Sequence, residues 1–159
     1  MPVAPAAPAL GRRPVVAVCS LVPRKKGNTH MPGPRFAFTK ILVNDLPAQF
    51  DFYTKIFGRV ERTRYEFDDR PDPLAEIIMT SPDGSEQSLV LLHYKNRPAP
   101  VPGSAVIGFE VHGLDDIVRR AEEAGGTVTE PPTTMPDIGI RVAFVTDPEG
   151  HVLELFERL

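Results

Sequence analysis

The sequence predicts an α+β fold made of two tandem βαβββ modules. The first observation is an internal repeat, in which identical residues recur 68 positions apart: Val43 and Val111, Leu46 and Leu114, Gly58 and Gly126, Val60 and Val128. Self-similarity at a fixed spacing indicates a duplicated structural unit. The second observation is that each copy has the pattern of a strand, a helix and three further strands. The third is a proline-rich stretch over 96–104, which predicts a stiff, extended linker between the modules.

The first module is predicted over about 35–95. Residues 36–43 alternate in the manner of a strand that has one face on a core. Asp45 is placed to cap the helix that follows, which ends at Gly58. That helix carries an apolar stripe at helical spacing, formed by Phe50, Tyr53 and Phe57. Three strands are then predicted, at about 60–67, 74–80 and 88–94, with a turn between the last two at Ser81-Pro82-Asp83-Gly84.

The second module is predicted over 105–159. Its first strand is expected at 105–111, and a helix follows from about 114 to 124. Two acidic residues favour the start of this helix and two glycines end it: Asp115, Asp116, Gly125 and Gly126. Three strands complete the module, near 127–130, 140–146 and 151–157.

Residues 1–34 are predicted to form a disordered leader rich in proline and alanine. Seven prolines fall in the first 35 residues, and each removes a backbone donor that a helix or sheet would need. The segment is a poor signal peptide, because its apolar core is short and no small-residue cleavage site follows it. We therefore expect a cytoplasmic protein whose folded part begins near Arg35. An alternative is that translation begins at Met31.

Composition excludes several classes of partner. The chain has 159 residues, of which 42% are hydrophobic and 25% are charged, as in one ordinary globular domain. Its net charge of −3 lacks the basic excess of a nucleic-acid-binding protein. The one cysteine, Cys19, excludes an internal disulfide framework. The apolar run over 15–22 is far shorter than the roughly 20 residues of a membrane-spanning helix, so no membrane partner is expected.

Two local motifs add to the pattern of elements. One is Val43-Asn44-Asp45-Leu46 followed by Phe52-Tyr53 and Gly58, and the other is the closing run Asp147-Pro148-Glu149-Gly150-His151-Val152-Leu153-Glu154-Leu155-Phe156. With the two modules they resemble the vicinal-oxygen-chelate superfamily, which includes glyoxalase I, bleomycin-resistance proteins and extradiol dioxygenases. The resemblance covers about 36–158. It implies a curved mixed sheet, built by both modules around a cup that holds the ligand, and a homodimer.

The resemblance also provides a test for a metal site. Metal-dependent members take one ligand from the first and one from the fourth strand of each module. Counted from the motifs, those positions fall here on Phe38, Leu91, Val106 and Glu154. Three of these side chains offer no lone pair, and one carboxylate does not hold a transition metal that needs three or more ligands. We therefore expect no cofactor on these residues, while a divalent metal on a different ligand set stays open.

Alternation along the strands assigns further side chains to the cup. The predicted cup is largely apolar, with a few polar groups, and such a concavity suits a small organic molecule. The candidate ligand-binding residues are Phe38, Lys40, Leu91, His93, Val106 and Glu110.

The polar candidates each have two interpretations. Glu154 is the candidate general base, since apolar neighbours would raise the pKa of its carboxyl group. Alternatively it pairs with Lys40 or reaches solvent. Lys40 binds an anionic substrate group, or forms an ion pair with Glu110 or Glu154. His93 is an acid or a ligand contact, or an exposed residue at a strand end, and Phe38 is a stacking surface or a packing residue.

The other histidines carry no predicted role. His112 and His151 lie in turn contexts, and Asp147 and Gly150 are interpreted as turn residues.

Two classes of function stay open at this point. The first is a metal-free binding protein that sequesters or carries a small organic molecule in its apolar cup, in the manner of the resistance proteins. The second is an enzyme, either a glyoxalase-like lyase or isomerase or a relative of the dioxygenases, with Glu154 as base or metal ligand. The missing metal ligands favour the binding protein.

Overall fold

The fold is described from a computed structural model that covers Pro34 and residues 36–159. The predicted leader over 1–34 lies outside this part except for Pro34, as does the alternative start at Met31. The first module contains β1 (Phe38–Leu42), α1 (Leu46–Phe57), β2 (Val60–Phe67), β3 (Leu74–Thr80) and β4 (Ser88–Tyr94). The second contains β5 (Val106–Glu110), α2 (Leu114–Glu123), β6 (Thr127–Met135), a 3₁₀ turn (Pro136–Ile138), β7 (Ile140–Thr146) and β8 (Val152–Arg158). The predicted α+β class and the two βαβββ modules are confirmed.

Each module builds its own four-stranded mixed sheet. The strand orders are β1-β4-β3-β2 and β5-β8-β7-β6. The first strand of each module pairs in parallel with the fourth, and the other pairs are antiparallel. Among the described strands no ladder joins β1 to β5. Both of these strands therefore lie at the edge of their sheets.

The helix ends follow the local signals in the sequence. The Asp45 carboxylate accepts a hydrogen bond from the Ala48 backbone N–H at 3.0 Å, which satisfies a donor at the start of α1. Gly58 ends that helix in the left-handed region, at φ 62°. After α2 this conformation belongs to Gly125, at φ 93°. Gly126 has a different reason to be glycine: a Cβ there would lie 2.5 Å from the Thr146 carbonyl oxygen.

β6 is longer than the sequence predicted. It was expected over 127–130 and continues to Met135, through Pro131 and Pro132. Proline is tolerated because β6 is an edge strand, where one side needs no ladder hydrogen bonds. Its pairing with β7 also shifts register twice between Val128 and Thr133. Both prolines fall inside that irregular stretch.

One apolar core serves both modules. A single cluster of buried residues contains Ile41 and Tyr53 from the first module together with Phe109 and Leu153 from the second. The rings of Phe57 and Phe109 stack with their centroids 4.0 Å apart. The two modules are therefore packed against each other on the helix-bearing faces of their sheets.

Strand β4 presents its side chains differently from the prediction. Leu91 pairs in register with Ile41, and both belong to the core on the helix-bearing side, where Leu91 is fully buried. His93 lies on this face too, with Nδ1 3.1 Å from the Val43 carbonyl oxygen. The assignment of Leu91 and His93 to the cup face was wrong. The four residues 89–92 are all apolar and all buried, so they show no alternation from which the facing could be inferred.

The assignment of the β4 side chains to the two faces of the sheet can be tested by measuring free energies of unfolding. We expect Leu91→Ala to lower the free energy of unfolding by about 2–5 kcal/mol, because it leaves a cavity in the shared core. Val106→Ala is the matched control. Val106 is 54% exposed, so its loss should cost less than about 1 kcal/mol. Urea unfolding of the two variants measures both values, and similar costs for the two would contradict the assigned faces.

Candidate functional site

A cleft of about 400 Å³ runs along the two edge strands where the modules meet. Its walls come from β1, β5, the start of β4 and the linker. The lining is mainly apolar, with Phe36, Ile41, Leu42, Val101, Val106 and Phe109 among its residues. Of the predicted ligand-binding residues, Lys40 and Val106 line this cleft. Concave, mostly apolar spaces of this size are typical of sites for small organic molecules.

Lys40 is held by a carboxylate that the sequence did not point to. Its ammonium nitrogen lies 2.6 Å from Glu76 Oε2, and both side chains are largely buried. The predicted pairing with Glu110 is wrong, because Glu110 instead lies 2.7 Å from Arg158 Nε on the exposed face of the second sheet. Arg158 also lowers the pKa of the Glu110 carboxyl group. Lys40 and Glu110 belong to different sheets, and only tertiary structure reveals their actual partners.

Arg59 is a second basic residue of the cleft, and the sequence had given it no role. It is 9% exposed. Its guanidinium carbon lies 5.5 Å from the centre of the Phe109 ring, and one of its nitrogens lies 2.5 Å from Glu86 Oε2. It also donates to the Gln87 carbonyl oxygen at 3.4 Å. Arg59 therefore ties the end of α1 to the start of β4 and to a ring of the second module.

A buried carboxylate links the modules behind the cleft. Asp147 accepts hydrogen bonds from the Tyr53 hydroxyl at 3.0 Å and from the His151 ring at 2.8 Å. It also accepts from the backbone N–H groups of Glu149 and His151. Burial, together with the nearby Asp147 charge, raises the pKa of Tyr53, so this hydroxyl remains a donor. The turn that the sequence indicated at Asp147 is present, and it also binds the other module.

Glu149 adds a second link from the same turn. Its carboxylate accepts from the backbone N–H of Asn44 at 2.8 Å and of Asp45 at 2.7 Å. These two residues immediately precede α1, where backbone donors lack helical partners. A carboxylate there also interacts favourably with the positive end of the helix dipole. The closing turn of the second module thus fixes the start of the first helix.

The surroundings of His151, which lines the cleft, favour a positively charged ring. Nδ1 faces the Asp147 carboxylate, and Nε2 lies 3.1 Å from the Leu42 carbonyl oxygen. Both partners are hydrogen-bond acceptors, so the doubly protonated ring is the form that donates to both of them. Burial lowers the pKa of His151, but the hydrogen bond and charge of Asp147 outweigh it, and the pKa is raised above its ordinary 6.5. His151 had no predicted role, since sequence alone indicated only a turn.

The metal-ligand positions can be placed on the two sheets by their pairing. Glu154 pairs in register with Gly108, and the equivalent pair in the first module is Val90 with Lys40. Val90, rather than Leu91, is therefore the fourth-strand residue on the face away from the helices. It is buried and apolar, so the correction to the position leaves the number of possible ligands unchanged.

These residues do not fit a metal ion. Phe38, Val90 and Val106 have no donor atoms, and Glu154 alone cannot complete a coordination shell. Within residues 36–159 no group of three or more His, Cys, Asp or Glu side chains is placed to hold a metal. Glu154 is half-buried, and it has neither a hydrogen-bond partner nor an ion-pair partner in the described part of the chain. The ring of Phe38 instead lies 5.9 Å from the Lys40 ammonium.

None of the described helices is both long and apolar enough to cross a membrane.

Comparison with known proteins agrees with this architecture. Residues 35–155 match the Glyoxalase/Bleomycin resistance protein/Dioxygenase superfamily. The chain is 29% identical over 135 residues to a probable lactoylglutathione lyase of Vibrio cholerae, which covers 80% of this chain and 93% of the relative. It is 27% identical over 125 residues to the lactoylglutathione lyase of Escherichia coli O157:H7, covering 77% and 92%. A glyoxalase family protein from Bacillus cereus has the same fold, with a TM-score of 0.70 at 19% identity over 84% of this chain and 99% of that one.

The charged state of His151 makes the link between the modules sensitive to pH. Because its pKa is raised on folding, its stabilisation is fully present below the ordinary pKa of 6.5 and is lost as pH rises through the folded value. We expect His151→Gln to reduce the free energy of unfolding most at about pH 6, with the difference from wild type narrowing at higher pH. Urea unfolding of wild type and His151→Gln, from about pH 6 upwards, measures this difference in the free energy of unfolding. His112→Gln changes an exposed histidine and should show no such trend, whereas a constant difference for His151→Gln would contradict the assigned protonation.

Proposed function

Since the chain belongs to the Glyoxalase/Bleomycin resistance protein/Dioxygenase superfamily, we propose that it binds a small organic molecule in the cleft between its modules, without a metal ion. The observation that carries this proposal is the chemistry of the four ligand positions. Apolar side chains stand at three of them, and within residues 36–159 the remaining carboxylate belongs to no group of three or more His, Cys, Asp or Glu side chains placed to hold a metal. Of these four positions Val106 lines the cleft, and the mainly apolar lining around it is suited to holding a small organic molecule.

The cleft supports the binding role by its shape and lining. Apolar residues of both modules and of the linker form most of its wall, which suits an aromatic or aliphatic ligand. Basic side chains are placed at a few points along it. The walls are fixed by Asp147, Glu149 and the shared core, so the protein does not have to order them on binding.

We also infer that the protein is a homodimer. Strand β5 is an edge strand, and Val106 and Gly108 on it are exposed. An edge with unpaired backbone groups next to an exposed apolar side chain is a surface that a second copy can cover. Size-exclusion chromatography with light scattering tests this inference directly. Location in the cytoplasm remains a prediction from the sequence.

A lyase or isomerase is the second candidate. Two observations favour it: the relatives from Vibrio cholerae and Escherichia coli are named as lactoylglutathione lyases, and Glu154 is present here with no partner among the described residues. An unpaired carboxylate on a partly apolar face can act as a base towards a bound substrate. In this alternative the substrate extends beyond the described lining of the cleft, which lacks Glu154, to the face of the second sheet where Glu154 removes a proton from it.

Metal content separates the proposal from metal-dependent chemistry. We expect the full chain, expressed with added iron, nickel, cobalt, manganese and zinc, to contain only substoichiometric metal by elemental analysis. Glu154→Ala should have the same content, because one carboxylate contributes little affinity on its own. Near-stoichiometric metal in the wild type that disappears in Glu154→Ala would overturn the proposal.

Enzyme activity distinguishes the proposed binding function from the second candidate, a lyase or isomerase. We expect turnover of lactoylglutathione by the purified protein to stay at the uncatalysed rate, measured in both directions of the reaction. Glu154→Gln keeps the shape of the side chain and removes its basicity, so it should behave like the wild type. Activity in the wild type that falls by about 100-fold or more in Glu154→Gln would establish the lyase instead.

A further inference from the structure

The ionisable side chains that line the cleft all have the same sign of charge. Its ionisable lining residues are Lys40, Arg59 and His151, and all three are basic. Among the described residues no aspartate or glutamate lines it. The remaining polar lining groups are uncharged hydroxyl and amide side chains, such as Ser88 and Gln87. A ligand that enters the cleft therefore meets cationic nitrogens and apolar surface, but no carboxylate.

Each of these cations has a carboxylate partner outside the lining. Glu76 binds Lys40, Glu86 binds Arg59 and Asp147 binds His151, at 2.6, 2.5 and 2.8 Å. These partners hold the cations in place, and they balance the three positive charges with three negative ones. The arrangement suits a ligand with a single negative charge better than a polyanion, since little excess positive charge is available.

Lys40 and Arg59 also keep N–H donors that the described part of the chain does not use. The Lys40 ammonium has three N–H groups and binds one carboxylate oxygen of Glu76. The Arg59 guanidinium has five, and its described partners are Glu86 and the Gln87 carbonyl oxygen. Both ring nitrogens of His151 are already bonded, so His151 contributes charge rather than a new hydrogen bond. Charged N–H donors form their strongest hydrogen bonds with carboxylates.

We propose that the ligand of this cleft is an organic monoanion, a carboxylate carried on an aromatic or aliphatic body. Its carboxylate lies against the unused donors of Lys40 or Arg59, and its body lies against the apolar wall that includes Leu42, Val106 and Phe109. This inference rests on the proposed binding function and names the chemical class of what is bound. It concerns the basic residues of the cleft, and of the four metal-ligand positions it involves Val106 alone, as part of the apolar wall.

Three probes of one shape test the inference on the full wild-type chain: 4-phenylbutyrate, 4-phenylbutyramide and 4-phenylbutylamine. Isothermal titration calorimetry should show the carboxylate binding about 10- to 100-fold more tightly than the amide, as expected for charge-assisted hydrogen bonds. The amine should bind most weakly. Equal affinity for carboxylate and amide, or a preference for the amine, overturns the inference and leaves the proposed function standing. No binding by any probe counts against both.

A double variant and a control variant test whether Lys40 causes the preference for carboxylate over amide. Lys40→Met combined with Glu76→Gln removes the cation without leaving a buried, unpaired carboxylate, and it should reduce the preference for carboxylate over amide by about 10-fold. Lys95→Met is the matched control, since Lys95 pairs with Glu66 and Asp68 and does not line the cleft. An unchanged preference in the double variant, with its fold verified by circular dichroism, excludes Lys40 as the anion contact. The probe series on wild type decides the inference even if the double variant does not fold.

Discussion

The buried carboxylate of Asp147 fixes how the two modules meet. An ionised carboxylate inside an apolar core is strongly unfavourable unless donors surround it. Here the donors come from both modules: the Tyr53 hydroxyl from α1, and the His151 ring with two backbone N–H groups from its own turn. Since no ladder among the described strands joins β1 to β5, this polar link and the shared core set the separation of the edge strands. The width of the cleft therefore depends on it.

The turn that recurs in both modules has a different role in each. In the second module Asp147 opens the turn and binds across to the first module. The equivalent residue in the first module is Ser81, and the carboxylate of that turn belongs to Asp83 instead. Among the described residues Asp83 bonds only within its own turn, to Ser81 and Ser85, and these hydrogen bonds lower its pKa to about 2. Of the two copies of this turn, the one in the second module thus contributes its carboxylates to the junction between the modules.

Periodicity and turn chemistry were sufficient to predict the order of elements and most of their bounds, because these depend on local sequence. The bounds of β2, β3, β4 and β7 agree with the prediction. The sequence failed where the answer depends on distant residues. The uniformly apolar β4 gave no clue to the face of Leu91, and nothing near Lys40 in sequence indicated Glu76. His151 was interpreted as an ordinary turn residue, because the contacts of its ring with Asp147 and with the Leu42 carbonyl oxygen are seen only in the folded structure.

The linker has a consequence beyond joining the modules. Residues 100–105 form part of the wall of the cleft, whereas the shared core is built almost entirely from the helices and sheets. A change in linker length would therefore alter the space available to a ligand without removing a core side chain. Connecting segments tolerate insertions and deletions far better than buried strands do. In this architecture the linker is the region through which descendants of one ancestor can diverge in ligand size at little cost in folding stability.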